Sequence, residues 1–377
     1  MADIGWRTLH AHGRDVQLRT RGQEPDPRGI YLCPSVGEYP VYDETIYRVI
    51  SGDEHRNRLF RRAIEAAAPG ATVLEIGPGP ELLWSLVAAG AGASRVYAVE
   101  VLADSARLAR QTAQGAGQRH RGVPIDVVTG DATRIELPER ADVCIAEIVG
   151  CLGGAEGISA VLGDAERRHL SEGAQVIPAA VRTLVAAVAL GGVLAGPGGE
   201  PALPGMFAPY LEAIFRAAGG PFDVRLCPVG AGPDTLRSAP GVVEDLRFGA
   251  ARNGQPDTRG GDLLLRITGR GPVDGLLAWI ELTVAPGDQP LDSLTGDTNW
   301  LPVYIPFAAG AQLDATPGDV LALQATVTEA ADGIHPEYFF RGELTRTGDR
   351  PAVPVYAESR FAGGPFRATA LHSALLR

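Results

Sequence analysis

ATVLEIGPGPELLWSLVAAGAGASRVYAVE, residues 71–100, is the stretch on which the fold turns. Val73 to Ile76 reads as a buried strand, because a short apolar run bounded by glycine and proline suits the inside of a parallel sheet. Gly77-Pro78-Gly79-Pro80 turns the chain tightly, ELLWSLVAAG has helical spacing, and RVYAVE is a second strand ending in Glu100. Strand, glycine turn, helix, strand and terminal acid open a doubly wound sheet that binds an adenosine-type cofactor. The glycines bring backbone N–H groups to the ligand, and the acid at the second strand's end accepts both ribose hydroxyls. Glu75, inside the first strand, lies beside the same turn.

A dinucleotide would need a third glycine for close helix packing around its pyrophosphate. Glu81 stands in that region instead and would repel a phosphate. S-adenosylmethionine carries no phosphate and bears a sulfonium cation, so an acidic rim is tolerable. Downstream, IDVVTGDATRIELPERADVCIAE supplies a third strand, then Asp131, Ala132 and Thr133 where an adenine ring lies, then a fourth strand delivering Glu147. This order of parts favours methyl transfer over hydride transfer. After Glu147 the loop carries Gly150, Gly153 and Gly154, and Glu156 follows where a helix opens. A helix N-terminus favours a carboxylate on its own account. Two carboxylates on the rims of one glycine-rich loop also suit a guanidinium, whose paired N–H donors they accept bidentately.

Upstream, residues 1–30 form a polar lead segment in which no chemistry can be placed. YLCPSVGEYPVY (31–42) is rich in aromatics, and Asp53 caps a helix EHRNRLFRRAIEAAA that Pro69-Gly70 ends. Beyond Pro178 short alternating strands follow one another: VRTLVAAVAL, DLLLRITG, GLLAWIELTV, WLPVYIPF, VLALQATVT and EYFFRGELTR. They read as an antiparallel barrel or sandwich. Residues 191–221 interrupt it with the amphipathic MFAPYLEAIFRAA. Two domains are expected, 31–178 for the cofactor and 179–377 for the substrate.

Composition narrows the function. The 377 residues are 45% hydrophobic and 21% charged, ordinary for a soluble globular chain. The formal net charge of -11 argues against nonspecific nucleic-acid binding and is compatible with cationic partners. All 34 basic Lys+Arg side chains are arginine, which with 48 glycines reflects genome composition. No run is long enough for a membrane helix and no secretory signal opens the chain, so a cytoplasmic location is expected. Four cysteines and seven histidines lack metal-ligand spacing, and no metal is expected.

With those residues assembled, the chain resembles the protein arginine methyltransferases. VLEIGPGP (73–80) is similar to the family's glycine motif, Glu100 to its ribose acid, and Glu147 with Glu156 to its paired glutamates. TGDTNW (295–300) resembles the Thr-His-Trp loop lining the family's active site. YPVYDETIYRVISGDEHRN (39–57) resembles its SAM-covering helix and the stretch after it. The resemblance implies a Rossmann-like class I methyltransferase domain followed by a β-barrel with an inserted arm, and it implies S-adenosyl-L-methionine as cofactor. It makes Glu147 and Glu156 catalytic, and Glu75, Gly77, Gly79, Glu100, Asp131, Ala132 and Thr133 the cofactor's ligands. Tyr39, Asn299 and Trp300 would line the acceptor site. Residues 191–221 would mediate a homodimer, because Met206, Phe207, Tyr210, Leu211, Ile214 and Phe215 place apolar surface on one helical stretch. The departures are specific. The arginine of the covering helix falls on Ser51, with Arg48 one turn earlier as a substitute for the cofactor carboxylate. The loop histidine is Asn299, and its aspartate partner falls on Arg48. Tryptophan and methionine of the glutamate loop are Ile148 and Val149, and its later tyrosines are Gly154 and Ala155. Thinned aromatic walls tilt the acceptor from a peptidyl arginine towards a small guanidino molecule or an unusual peptide.

Overall fold

The computed structural model describes residues 4–26, 29–35, 50–116, 122–195, 200–252, 254, 256–348 and 350–377. Arg48 and Tyr39, to which the sequence assigns a cofactor and a substrate role, lie outside them. Strands β1 (Ile4–Ala11), β2 (Arg14–Arg21) and β3 (Tyr31–Pro34) precede helix α1 (Glu54–Ala67). The cofactor half follows as β4 (Thr72–Ile76), α2 (Leu83–Ala91), β5 (Arg95–Glu100), α3 (Ala103–Ala116), β6 (Ile125–Thr129), β7 (Ala141–Ala146), α4 (Ile158–Arg168) and β8 (Leu170–Ile177). Its five strands lie parallel in the order β6-β5-β4-β7-β8. Register sets Glu75 beside Ala98 and Ile76 beside Ala146, so β4, β5 and β7 end at one edge. That carboxyl edge is where open α/β sheets take their ligands. Asp53 caps α1 by accepting the Arg56 N–H at 2.9 Å, and the helix buries Phe60, Ala63 and Ile64.

The second half is antiparallel. Its elements are β9 (Ala180–Val188), the short α5 (Gly191–Ala195), α6 (Ala208–Ala217), β10 (Leu226–Val229), β11 (Gly241–Arg247), β12 (Thr258–Arg259), β13 (Gly261–Arg266) and β14 (Gly271–Val273). Then come β15 (Gly275–Thr283), β16 (Leu291–Asp292), β17 (Val303–Pro306), β18 (Leu313–Ala315), β19 (Val320–Glu329), β20 (Pro336–Thr345), β21 (Val353–Ser359) and α7 (Ala370–Leu375). One sheet runs β12-β11-β9-β15-β17-β10-β3 with β16 on β15, and another runs β13-β19-β20-β21. Among the described residues no helix is long and apolar enough to cross a membrane.

Two sequence expectations change here, and a third is narrowed. Residues 31–34, assigned to the cofactor half, pair instead with β10 of the antiparallel sheet, Cys33 standing opposite Cys227. The polar lead segment is a hairpin, with β1 antiparallel to β2 over their whole length. The hairpin also bears on the arm. Leu211, Ile214 and Phe215 of α6 are fully buried in one cluster with Leu9, Val16 and Leu18 of the hairpin and Leu375 and Leu376 of the C-terminus. Part of the apolar stretch assigned to a second subunit is thus covered by the chain itself, while Phe207 and Tyr210 are half-buried and Met206 stays 46% exposed.

Candidate functional site

At the carboxyl edge, Gly77 and Gly79 both take positive φ (72° and 64°), a conformation that costs glycine least. The Gly79 N–H donates to one Glu100 oxygen at 3.1 Å and the Leu102 N–H to the other at 2.9 Å. Two backbone donors thus aim the carboxylate and leave it lone pairs for further hydroxyls. Glu100 is buried, which pushes its carboxyl above the ordinary range despite those bonds. A Cβ on Gly77 would meet Ile148 at 3.2 Å, and no other described atom within 4 Å. An adenosine group fits this cradle: an open glycine turn and a fixed acid one strand away. Glu75 accepts the Ser85 hydroxyl, and its carboxyl is pushed up to about 7, by burial first and then by nearby Glu147 and Glu100. Asp131 accepts the Thr133 N–H at 2.9 Å and its hydroxyl at 2.7 Å, so it shapes the turn that presents Ala132 and Thr133.

Glu147 leaves β7 with its side chain 17% exposed, and Arg56 Nη1 donates to it at 2.9 Å. Arg56 also donates to the Ile50 carbonyl at 2.6 Å and to Asn57 Oδ1 at 2.9 Å. Its guanidinium lies 5.7 Å from the Trp84 ring centroid, and Trp84 stacks on Phe60. Burial keeps the Glu147 carboxyl raised even against Arg56. Glu156 is raised well above the carboxylate range, chiefly by burial, then by Glu147 and Cys151. It stands two residues before α4, whose N-cap is Gly157. Glu147 is near enough to Glu156 to help raise it, and a further cation beside the two buried acids would relieve both.

The loop joining them is pinned from behind. The Gly153 N–H donates to Thr183 Oγ1 at 2.9 Å and the Gly154 N–H to Glu244 Oε2 at 3.3 Å. Glu244, fully buried, also accepts from Thr183 at 2.7 Å and from the Tyr338 hydroxyl at 3.1 Å. A Cβ on Gly153 would strike Val181 at 2.7 Å and one on Gly154 would strike Glu244 at 2.6 Å, so the loop has glycines because β9 and β11 press against it. From another side the Trp300 indole donates to the Val149 carbonyl at 2.7 Å. Thr298 and the Asn299 N–H donate to Asp53 at 2.7 and 2.9 Å. Asp53 is therefore the carboxylate that holds TGDTNW, where the sequence reading placed that partner at Arg48. Trp300 is buried in the cofactor-half core and the Asn299 residue is exposed.

No protein-family model matches the chain. An arginine N(omega)-methyltransferase of Streptomyces achromogenes subsp. streptozoticus is 30% identical over 282 residues, 72% of this chain and 73% of that one. The chain belongs to the arginine methyltransferase family. A probable histone-arginine methyltransferase of Oryza sativa subsp. indica is 37% identical over 111 residues, 29% of this chain and 20% of its own length. The fold is that of Arabidopsis thaliana protein arginine methyltransferase 10, with a TM-score of 0.63 and 16% identity over 85% of this chain and 98% of that one. The Trypanosoma brucei PRMT1 enzyme–prozyme complex gives 0.62 at 16% identity over 84% and 99%.

In this arginine methyltransferase relative, the structure gathers Glu75, Gly77, Gly79, Glu100, Glu147 and Glu156 around one edge, with Trp300 fastened to the glutamate loop. The reading from sequence passed over Arg56, and it took Asp53 for a helix cap alone without its hold on Thr298 and Asn299. Arg56 had a signal: it shares a helix face with Phe60, Ala63 and Ile64, and an arginine inside an apolar stripe needs a reason. Glu244 had none, because its contacts lie 61 to 94 residues away along the chain.

Proposed function

We propose that the protein transfers a methyl group from S-adenosylmethionine to a guanidine nitrogen of arginine itself or of a small arginine-like metabolite. The observation that carries this reading is the bond from the Arg56 guanidinium to Glu147. The loop already accepts one guanidinium, and Glu156 beside it is a second raised carboxyl. The relative matched over most of its length is named for arginine, whereas the histone-arginine enzyme matches over a fifth of its own. Gly153 and Gly154, with no room for side chains, favour a compact acceptor site over an aromatic-walled peptide groove.

The cofactor supplies an electrophilic methyl on a sulfonium. Glu147 and Glu156 grip the acceptor guanidinium, draw positive charge from one nitrogen and hold it in line, which is electrostatic preorganisation together with orientation. Glu100 accepts the ribose hydroxyls, and the Gly77–Gly79 turn admits the ligand to the backbone. Arg56 takes the part expected of Arg48: it is a buried cation at the cofactor edge and would pair with the cofactor's carboxylate. Trp300 holds the TGDTNW loop against the glutamate loop and so bounds the acceptor side.

The test incubates the full-length protein with S-adenosylmethionine and either free arginine or arginine peptides, and reads products by mass spectrometry. Methylated free arginine is expected. Glu147→Gln and Glu156→Gln should each lower turnover by about two orders of magnitude or more, near 3 kcal/mol of barrier, with cofactor affinity little changed. Near-normal turnover in either variant would remove the paired-glutamate mechanism, and methylation of peptides alone would remove the small-molecule assignment.

A further inference from the structure

The turn that presents Ala132 and Thr133 is held from two sides. On the first, the Gly130 N–H donates to the Glu100 carbonyl at 3.0 Å, so the turn starts from the residue that carries the ribose acid. Within it, the Arg134 and Ile135 N–H groups donate to the Asp131 carbonyl at 2.9 and 3.1 Å. Ile135 packs so close to Gly130 that a Cβ there would meet it at 2.6 Å. On the second side stands Arg168, the last residue of α4. Its Nη2 donates to the Ala132 carbonyl at 3.0 Å and its Nη1 to the Ile135 carbonyl at 2.7 Å. Nη1 also reaches Glu136 at 3.2 Å, and Nε donates to Asp164 Oδ2 at 2.9 Å. A planar fork with donors in fixed directions fastens two carbonyls and a carboxylate at once, which an ammonium does not. The Arg168 side chain is 25% exposed and sits one turn from its partner Asp164. Arg167 offers the contrast. It is 71% exposed, and its bonds to the Gly163 carbonyl and Asp164 stay within α4.

We propose that Arg168 is a positioning residue for the cofactor, fastening the 131–135 turn to α4 so that the site distinguishes adenine from a purine lacking its amino group. This rests on the assignment of Ala132 and Thr133 to the adenine ring. Carbonyls of an exposed turn ordinarily bond to water. Two of them tied to one arginine set the turn at a defined height beside the sheet edge. Groups that recognise a ligand by hydrogen bonds must be held to within about half an ångström. A site so held rejects an analogue with a different donor pattern, because its own polar groups are then left unpaired. Arg168 acts through the backbone of the turn rather than on the ligand. Its bond is also the first cause holding the Asp164 carboxyl below the ordinary range, so the pair stays charged at neutral pH. Helix α4 opens two residues after Glu156 and closes at Arg168. The acceptor loop and the cofactor turn are thereby attached to opposite ends of one helix.

Binding to the full-length protein is read by titration calorimetry with S-adenosylhomocysteine and with its counterpart carrying hypoxanthine, so no methyl transfer is needed. Arg168→Ala should weaken S-adenosylhomocysteine at least tenfold and the hypoxanthine compound less than threefold, so the parent's preference for adenine shrinks. Arg168→Lys keeps a cation beside Asp164 but loses the fork, and should fall between, with at least a threefold loss for the adenine ligand. Arg167→Ala makes the same charge change one position away and should bind both ligands as the parent does. In turnover, Arg168→Ala should raise KM for S-adenosylmethionine and leave kcat at saturating cofactor within about twofold. Denaturant unfolding accompanies each variant, and where Arg168→Ala does not fold, Arg168→Lys decides. Unchanged S-adenosylhomocysteine affinity in a folded Arg168 variant would overturn the proposal. So would an equal fall for both ligands, which marks a clip that serves the fold alone, or an equal loss in Arg167→Ala, which marks a plain charge effect. If the parent binds neither ligand, the cofactor assignment fails and the proposal with it. If binding follows expectation but no guanidine is methylated, the clamp stands and the assigned reaction fails.

Discussion

Glu75 makes the folded chain sensitive to pH with a definite sign. Its carboxyl is pushed up to about 7 when folded, from an ordinary value of 4.5, because burial disfavours the charged form. Below pH 4.5 both states hold the proton and the stabilising contribution is complete. As pH rises towards 7 the unfolded chain gives up that proton first, and stability falls by up to about 1.4 kcal/mol per pH unit. Glu147 and Glu156 are raised as well, so only the difference from a variant isolates Glu75. Glu75→Gln should flatten the loss of stability between about pH 5 and about pH 7 in urea unfolding without cofactor. Parallel slopes for parent and variant would refute the assignment. Arg56 gives a second prediction. Arg56→Lys keeps the charge but loses the planar fork that reaches Glu147, Ile50 and Asn57 together. Charge-assisted bonds contribute roughly 1.5–3 kcal/mol each, so cofactor affinity should fall about tenfold or more by calorimetry. Unchanged affinity would return the carboxylate to a residue outside the described segments.

Helix α1 shows how one element is made to serve two loops. Its cap, Asp53, satisfies the first turn with one oxygen and holds Thr298 and Asn299 with the other. Asp53→Ala should remove a cap worth about 1 kcal/mol and two bonds of about 1 kcal/mol each, so a loss of about 2–3 kcal/mol is expected in denaturant unfolding. A loss under about 0.5 kcal/mol would mean that the loop is held elsewhere. The cap and the stop at Pro69-Gly70 were plain in the sequence, and RVYAVE is observed as β5 to the residue. The hairpin was harder to read. Leu9 and Ala11 alternate inward on one strand and Val16 and Leu18 on the other, while the opposite face mixes exposed Ile4 and Trp6 with Asp15, Arg19 and Arg21. Four apolar side chains over one helix make a faint period-two signal, although His12 and Gly13 at positive φ do form a turn suited to a hairpin. The glutamate loop was legible because its chemistry is local. Its supports were not, because Thr183, Glu244 and Tyr338 meet only once two sheets have formed.

For the molecule as a whole, the hairpin decides which surfaces are available for association. Leu211, Ile214 and Phe215 are fully buried beneath it, and such side chains contribute roughly 1.5–3 kcal/mol each when removed from water. Removing residues 1–21 would bare that face. The shortened chain should associate with rising concentration in light scattering, whereas the full chain should show no association through residues 191–221. A shortened chain of the same state as its parent would show that the face is not sticky, and association of the full chain abolished by changes at Met206 or Val193 would return the arm to an interface.

The close approach of Glu244 to Gly154 constrains the history of the site. A side chain at position 154 needs the space held by a carboxylate that three hydrogen bonds fix in place. Neither residue can change far while the other stays. A lineage that places a larger side chain at 154, or the reverse, must pass through paired substitutions at 154 and 244, so this corner of the loop changes as a block spanning both halves of the chain.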